Sequence, residues 1–415
     1  MNVIITGAGI GGLSLALMLH ARGIECDIYE SAPELKPLGV GINLLPHAAN
    51  EMDQIGMLDT LAKNAVPTSA LHYYNCHGQN IWQEPRGLDA GYPVPQLSIH
   101  RGKLQMLLAE AVMQRLGAHR LHTGMTFKSV EQDADGVTAQ FVRPDGTLHS
   151  ARANVLIGAD GIHSAVRRQF YPANDGFQFS GRILWRAVTY TQPFLDGRTM
   201  FMAGHPDVKF VAYPILDDNT PEGLTAINWI AELTVPDYDL GNTDWNRRVD
   251  KSVFEGPFQS WQWDWIDIPA LINGAEAVFE FPLVDKNPLP RWSFQNTTLM
   301  GDAAHPLYPI GSNGSAQAIL DARCLADHLQ KTVQGKHRSV AAALKEYEAD
   351  RIPPTTGIIL RNRLNGPEQV MQMAHERAPE GFNHIHDVVS AEELEEVSTR
   401  YKRIAGFDPK ALKRA

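Results

Sequence analysis

Asn2-Val-Ile-Ile-Thr-Gly7-Ala-Gly9-Ile-Gly11-Gly12 leads into an apolar run, and Cys26-Asp-Ile-Tyr-Glu30 closes the unit. Asn2 to Thr6 is short, apolar and rich in β-branched residues, which predicts a buried strand. The glycines force a tight turn into a helix carrying Leu13, Leu15, Leu17, Met18 and Leu19. Ile24 to Tyr29 reads as a second strand ending on Glu30. In such a strand–turn–helix–strand unit Gly7 permits the turn, Gly9 lets a diphosphate approach the backbone, and Gly12 lets helix pack on strand. The free N–H groups at the helix start, with the positive end of its dipole, suit a diphosphate. Glu30 is placed to accept hydrogen bonds from a ribose diol. No Lys or Arg precedes the apolar run, so a secretory leader is not expected.

Composition narrows the classes. The chain has 415 residues, enough for a large core and two domains. A net charge of −10 argues against nucleic-acid or anionic-membrane partners. No stretch approaches the 18 or so uncharged apolar residues of a membrane span. Cys26, Cys76 and Cys324 are far apart, offering neither a disulfide framework nor zinc spacing, and they suit a reducing, cytoplasmic setting.

Further along, Gly39-Val-Gly41-Ile42-Asn43 lets backbone approach something flat. Ala48 to Asn64 reads as a helix, and Leu71 to Trp82 and Gln96 to Ile99 as strands. Arg101 starts a periodic helix, where a cation is disfavoured unless an anion is bound. Residues 126–153 read as a small antiparallel unit turning at Asp145-Gly146. Asn154 to Gly158, followed by Ala159-Asp160-Gly161, is again a strand running into a turn and helix. From Gly181 to Val284 the texture changes to antiparallel strands rich in aromatics, including Trp185, Phe210, Tyr213 and Trp229, with Trp245, Trp261, Trp263 and Trp265 between the last two strands. Singly, most of these are expected in the core; collectively they would also suit a flat apolar ligand. Thr297 to Met300 returns to a buried strand before Gly301-Asp302-Ala-Ala-His305-Pro306. Gly311 and Gly314 leave the next helix with a bare N-terminus. In the acidic, helical end of the chain, Ser390-Ala-Glu-Glu393 is a capping box. That helix should pack on the body of the protein or on a partner subunit. His375-Glu376 and His384-x-His386 make no metal pattern, and Gly-x-Ser-x-Gly is absent.

The ordered triple of Gly7-x-Gly9-x-x-Gly12 with Glu30, Asp160-Gly161, and Gly301-Asp302 with its Pro- and Gly-rich loop resembles the flavin-dependent aromatic hydroxylases. These are single-component FAD monooxygenases of the para-hydroxybenzoate hydroxylase fold. The resemblance covers about residues 1–365. Pro37 to Asn43, Ser98 to Gly102, Ala159 to Arg167, Trp185-Arg186, Val211 to Ile215 and Asn313 to Asp321 look most like the phenazine-pigment branch. Gly311-Ser312-Asn313-Gly314 departs from the Gly-x-Gly of many relatives in a way that branch shares.

The resemblance implies an α/β fold, with a Rossmann-like FAD-binding domain (1–70, 100–180 and 285–365). It implies an inserted substrate domain on an antiparallel sheet (71–99 and 181–284), and beyond it a C-terminal helical segment (366–415). Gly7, Gly9, Ile10, Gly11 and Gly12 would hold the FAD diphosphate and Glu30 the adenosine ribose. Val40 and Gly41 would lie against the flavin ring. Arg101 would contact the diphosphate–ribityl region, with Gln105 and Phe127 also on the cofactor side. Asp160 would touch FAD and the nicotinamide cofactor, and Asp302 the ribityl hydroxyls. Gly314 and Ser315 would face the N1–C2=O edge of the flavin. Tyr213, Arg186 and Pro306 are the candidates at the reacting end. The implied activity is hydroxylation of an aromatic or heteroaromatic substrate, with a carboxylate and with decarboxylation open. FAD would be bound non-covalently, NADH or NADPH would serve as co-substrate without a second fingerprint, and O2 would react through a flavin C4a-hydroperoxide. A FAD oxidase or dehydrogenase without oxygen insertion stays open, as does a non-enzymatic escort of the same fold. Oxygen incorporation separates the first from a monooxygenase. Retention of both Asp160-Gly161 and Gly301-Asp302 weighs against the second.

Overall fold

The computed structural model describes residues 1–37, 39–173, 176–242 and 247–408, so Trp245 lies outside the described residues. Two sheets set the architecture. The first has the order Ser293–Phe294, Thr297–Leu299, Val155–Gly158, Asn2–Thr6, Glu25–Tyr29, Leu121–His122. Its strands are parallel except at the Ser293–Phe294 edge. Val3, Ile4, Ile5, Leu156 and Ile157 are buried, as expected of a parallel sheet covered on both faces. The helices Ile10–His20, Arg101–Leu116 and Gly314–Val333 pack around it.

The second sheet has eight strands in the order Arg247–Val249, Val278–Asp285, Gln178–Thr191, Thr225–Thr234, Val208–Ile215, Met200–His205, Ala70–Tyr74, Asn80–Pro85. All its pairings are antiparallel except that of Met200–His205 with Ala70–Tyr74. Because strand side chains alternate, its two faces differ. Trp185, Phe201, Phe210 and Trp229 point to one face, where Phe254, Phe258, Trp261 and Ile268 close a core over them. These aromatics are therefore interior packing, as expected of most of them singly, and of the aromatics named in this region it is Tyr213 that reaches the cavity. The other face carries Leu184, Arg186, Met202, Val211, Tyr213 and Glu232 and borders the cavity described below.

Two shorter corrections have local causes. Ala48 to Asn64 is two helices, Pro46–Gln54 and Leu58–Ala62, broken where Gly56 takes φ +65°. Leu71 to Trp82 is two strands joined at an Asn75 turn, whose side chain accepts from the N–H groups of His77 and Gln79. The Ser390/Glu393 capping box forms, and Gly406 ends the last helix in the left-handed conformation. That helix packs on the body of this same chain. Leu394 and Val397 join Leu71, Tyr73 and Ile81, and Tyr401 enters the main core. No helix among the described residues is long and apolar enough to cross a membrane.

Candidate active site

A cavity of about 370 Å³ lies between the parallel sheet and the charged face of the second sheet. Its first wall is backbone. Gly7 holds φ +98°, and a Cβ there would meet the Ala159 carbonyl oxygen at 2.4 Å. A Cβ on Gly12 would meet the Gly7 carbonyl oxygen at 2.1 Å, so helix and strand can be this close only without one. Gly9 differs: nothing lies within 4 Å of its missing Cβ, and it faces the cavity at the uncapped start of Ile10–His20. This is the bare, positive helix end that a diphosphate fits. The Ala8 N–H donates to Glu30 at 2.7 Å, and Gln105 donates to the Ala8 carbonyl at 2.8 Å, so both side chains brace the loop.

The second wall is the Gly301-to-Ala318 segment. Buried Asp321 accepts from the Gly301 N–H at 2.9 Å, from the His305 ring at 2.5 Å and from Arg351 at 2.7 Å. Against the effect of burial, His305 and Arg351 hold its carboxyl below the usual range. Asp302 projects from this anchored turn into the cavity. Burial raises its pKa, opposed by His305 and Arg101. Arg101 lines the same region, and no carboxylate among the described residues pairs with it. Gly314–Val333 begins without a side-chain cap, and the buried Ser315 Oγ beside it has no partner among the described residues. Open space at Gly9, an unpaired Arg101, an uncapped helix start and an orphaned hydroxyl together fit an elongated anionic cofactor with an electron-rich ring edge.

The third wall is the sheet face. The Gly41 N–H donates to Asn228 at 2.6 Å, and Arg186 donates to the Gly41 carbonyl at 2.9 Å. A Cβ on Gly41 would lie 2.8 Å from the Tyr213 ring, so the glycine admits this ring. Arg186 Nε is buried without a partner. Burial lowers the Arg186 pKa, opposed by Tyr213 and reinforced by Arg101. Burial pushes the Tyr213 hydroxyl up to about 12, so it remains a neutral donor.

Gly9, Ile10, Gly11, Gly41, Arg101, Arg186, Tyr213, Asp302, Gly314 and Ser315 thus converge on one cavity. Other sequence-derived candidates stand behind it. The Val40 carbonyl accepts from the Arg101 N–H at 2.8 Å. Asp160 accepts from Ser164 Oγ at 2.5 Å and from the N–H groups of Ala165 and Val166 at 2.7 and 3.1 Å, so its carboxylate caps the helix Ala165–Phe170. Phe127 stacks edge-on against Phe141 in the core, and Pro306 is buried while Pro309 takes the place at the cavity. Neither side chain lines the cavity: Phe127 packs in the core, and Pro306 is buried beside the His305 turn.

Sequence reading missed Asn228, Lys209, Glu232, Glu368 and Tyr401. Period-two alternation through Lys209, Val211 and Tyr213 was the available signal for Lys209. The hydroxyl contacts of Tyr401 had none. Its hydroxyl accepts from Asn313 Nδ2 at 2.9 Å and lies 2.9 Å from Asn362 Oδ1, and a Cβ on Gly311 would meet it at 2.2 Å. The C-terminal helix thereby fastens the loop that precedes Gly314.

With this geometry in view, the comparisons with known proteins are specific. Residues 1–255 and 283–361 match the FAD binding domain family. The chain is 41% identical to phenazine 1,6-dicarboxylic acid hydroxylase of Lysobacter antibioticus, over 87% of this chain and 89% of that protein. It is 31% identical to 3-amino-4-hydroxybenzoate 2-monooxygenase of Streptomyces platensis, over 88% of each. The fold matches a salicylate hydroxylase substrate complex at a TM-score of 0.75 with 20% identity, over 100% of this chain and 97% of that one. The structure of Klebsiella pneumoniae HpxO with FAD and uric acid matches at 0.74 with 23% identity, over 100% and 97%. This chain belongs to the FAD-dependent aromatic hydroxylases. It is a flavoprotein monooxygenase, and FAD is its cofactor.

Proposed function

We propose that the chain is an FAD- and NAD(P)H-dependent monooxygenase that hydroxylates an aromatic or heteroaromatic carboxylate. The single observation that carries the carboxylate is Arg186. It lines the cavity with a buried, unpartnered Nε and no compensating acid among the described residues. Its guanidinium is held by a neutral carbonyl, that of Gly41, and an entering carboxylate would supply the missing counter-charge and a partner for Nε. Tyr213, kept protonated, would add a neutral donor. Leu184, Met202, Val211 and Ile230 supply an apolar surface for the ring. The relatives named above act, by their names, on phenazine-dicarboxylic and aminohydroxybenzoic acids.

FAD, once reduced, supplies activation of O2 for transfer to an electron-rich carbon. The residues of this chain would do the rest. Gly9, Gly11 and the adjacent helix start would hold the diphosphate, Asp302 the ribityl hydroxyls, and Glu30 the ribose. The N–H groups at Gly314 and Ser315, with their helix dipole, would stabilise negative charge on the flavin edge. Arg186 and Tyr213 would orient the acid. Attack at the carbon bearing the carboxylate would release CO2 and leave the hydroxyl in its place. In that case ArCOO⁻, O2, NAD(P)H and two protons give ArOH, CO2, NAD(P)⁺ and water.

The test compares an aromatic acid with its carboxyl-free analogue as stimulants of NAD(P)H oxidation, in the wild type and in Arg186→Ala. The acid should stimulate strongly and the analogue poorly. Arg186→Ala should raise KM for the acid ~10- to 100-fold, the range of a lost charged hydrogen bond, while FAD content stays the same. Equal stimulation by acid and analogue, with an unchanged KM in the variant, would rule the carboxylate out.

A further inference from the structure

The cavity face of the eight-stranded sheet runs between two polar ends. At one end Tyr213 and Asn228 are cross-strand partners beside Gly41. In the middle Val211 pairs with Ile230 and with Met202. At the other end Lys209 pairs with Glu232. Lys209, Val211 and Tyr213 share one face of a strand, so at about 3.3 Å per residue the two ends are roughly 13 Å apart. The apolar surface between them is long enough for a fused ring system.

The ends differ in charge. Arg186 is an uncompensated cation. At the far end Lys209 Nζ lies 2.9 Å from Glu232 and 2.5 Å from Glu368, and Arg182 lies 3.0 Å from Glu232. All of these far-end side chains are buried, and their formal charges cancel. Burial works against the charge of Lys209, but the two glutamates more than restore it and raise its pKa. Lys209, Glu232 and Glu368 also line the cavity. Although Glu232 Oε1 sits close to Arg182, it is buried with no hydrogen-bond partner of acceptable geometry among the described residues. A carboxylate oxygen held by one ion pair keeps acceptor capacity, and on a cavity wall a ligand donor can fill it.

We propose that Glu232, with Lys209 and Glu368, forms a second polar subsite that accepts a hydrogen bond from a hydroxyl, amino or ring N–H group on the substrate, opposite its carboxylate. The proposal rests on the aromatic-acid reading above. It gives the substrate one orientation. Reversed, the carboxylate would leave the uncompensated Arg186 for an end whose charges are already paired, and the donor would face the donors of Arg186, so that pose is disfavoured. The ring carbon presented to the flavin is then set by both ends together.

The test measures Kd by perturbation of the flavin spectrum of the holoenzyme, with 6-hydroxy-2-naphthoate, 6-methoxy-2-naphthoate, 2-naphthoate and 2-naphthalenemethanol. The hydroxy acid should bind about tenfold or more tightly than the methoxy acid. In Glu232→Gln that ratio should shrink to within about threefold, with the Kd of 2-naphthoate little changed. Where Glu232→Gln does not fold, the wild-type ratio alone decides. Equal affinity of hydroxy and methoxy acids in the wild type would overturn the subsite while leaving the carboxylate reading intact. Equal affinity of 2-naphthoate and 2-naphthalenemethanol would overturn the carboxylate reading. Binding by none of the four would overturn both.

Discussion

The glycine-turn end of the cavity is made of backbone, whereas the sheet face across from it is made of side chains. At the first, Gly7 and Gly12 leave no room for a Cβ, and Gly9 leaves space for a ligand. At the second, function sits in the tips of Arg186, Tyr213, Lys209 and Glu232, spread over several strands. A backbone site is encoded by what is missing at fixed local spacing. A side-chain site is encoded by which face of a strand each residue takes, and that depends on partners distant in sequence.

The largest effect expected is at the backbone end. Gly12→Val places carbon where the Gly7 carbonyl oxygen already lies, so the variant should lose bound FAD and much of its stability. Gly9→Ala points into open space and should keep the melting temperature of the apoprotein while weakening FAD. Flavin absorbance and thermal melts of the two variants check this. If Gly12→Val retains wild-type flavin, the packing account of that glycine is wrong.

That contrast explains what was legible in the sequence. The glycine turn, Glu30, Gly301-Asp302 and the bare start of Gly314–Val333 are local patterns, and each stands at the cavity or braces it. That most aromatics of residues 181–284 are core was legible, but not which of them would face the cavity, because composition does not say which face of a sheet a residue takes. Trp185 and Arg186 are neighbours in sequence, yet one lies in the core and the other at the cavity. The packing of Tyr401 was legible from its helical stripe, but its hydroxyl partners were not: Asn313 and Asn362 are remote in the chain and no spacing rule joins them.

A second, smaller effect separates the two acidic motifs. Asp302 projects into the cavity, whereas the Asp160 carboxylate is occupied by capping. Asp302→Ala should weaken FAD ~10-fold or more, the order of a lost charged hydrogen bond. Asp160→Ala should cost about 1 kcal/mol of stability, the usual value of an N-cap, with FAD affinity close to wild type. Fluorescence titration of apoprotein with FAD and urea unfolding measure the pair. Equal loss of FAD affinity in both would return Asp160 to the cofactor.

The smallest effect on catalysis tests whether the C-terminal helix reaches the cavity through the loop before Gly314. Tyr401→Phe removes only the hydroxyl that meets Asn313 and Asn362. Losing these bonds should destabilise the protein by about 1–3 kcal/mol. A loosened loop should also lower the yield of product per NAD(P)H consumed, with KM for the acid nearly unchanged. A normal yield with lowered stability would make Tyr401 a packing residue only.

The central claim is that these two ends together make a monooxygenase of aromatic acids. The most direct measurement is the mass of the product formed from an aromatic acid, NAD(P)H and ¹⁸O2. One labelled oxygen atom should appear on the ring. An acid that stimulates NAD(P)H oxidation yet returns unlabelled and unchanged, with all the oxygen recovered as hydrogen peroxide, would contradict it.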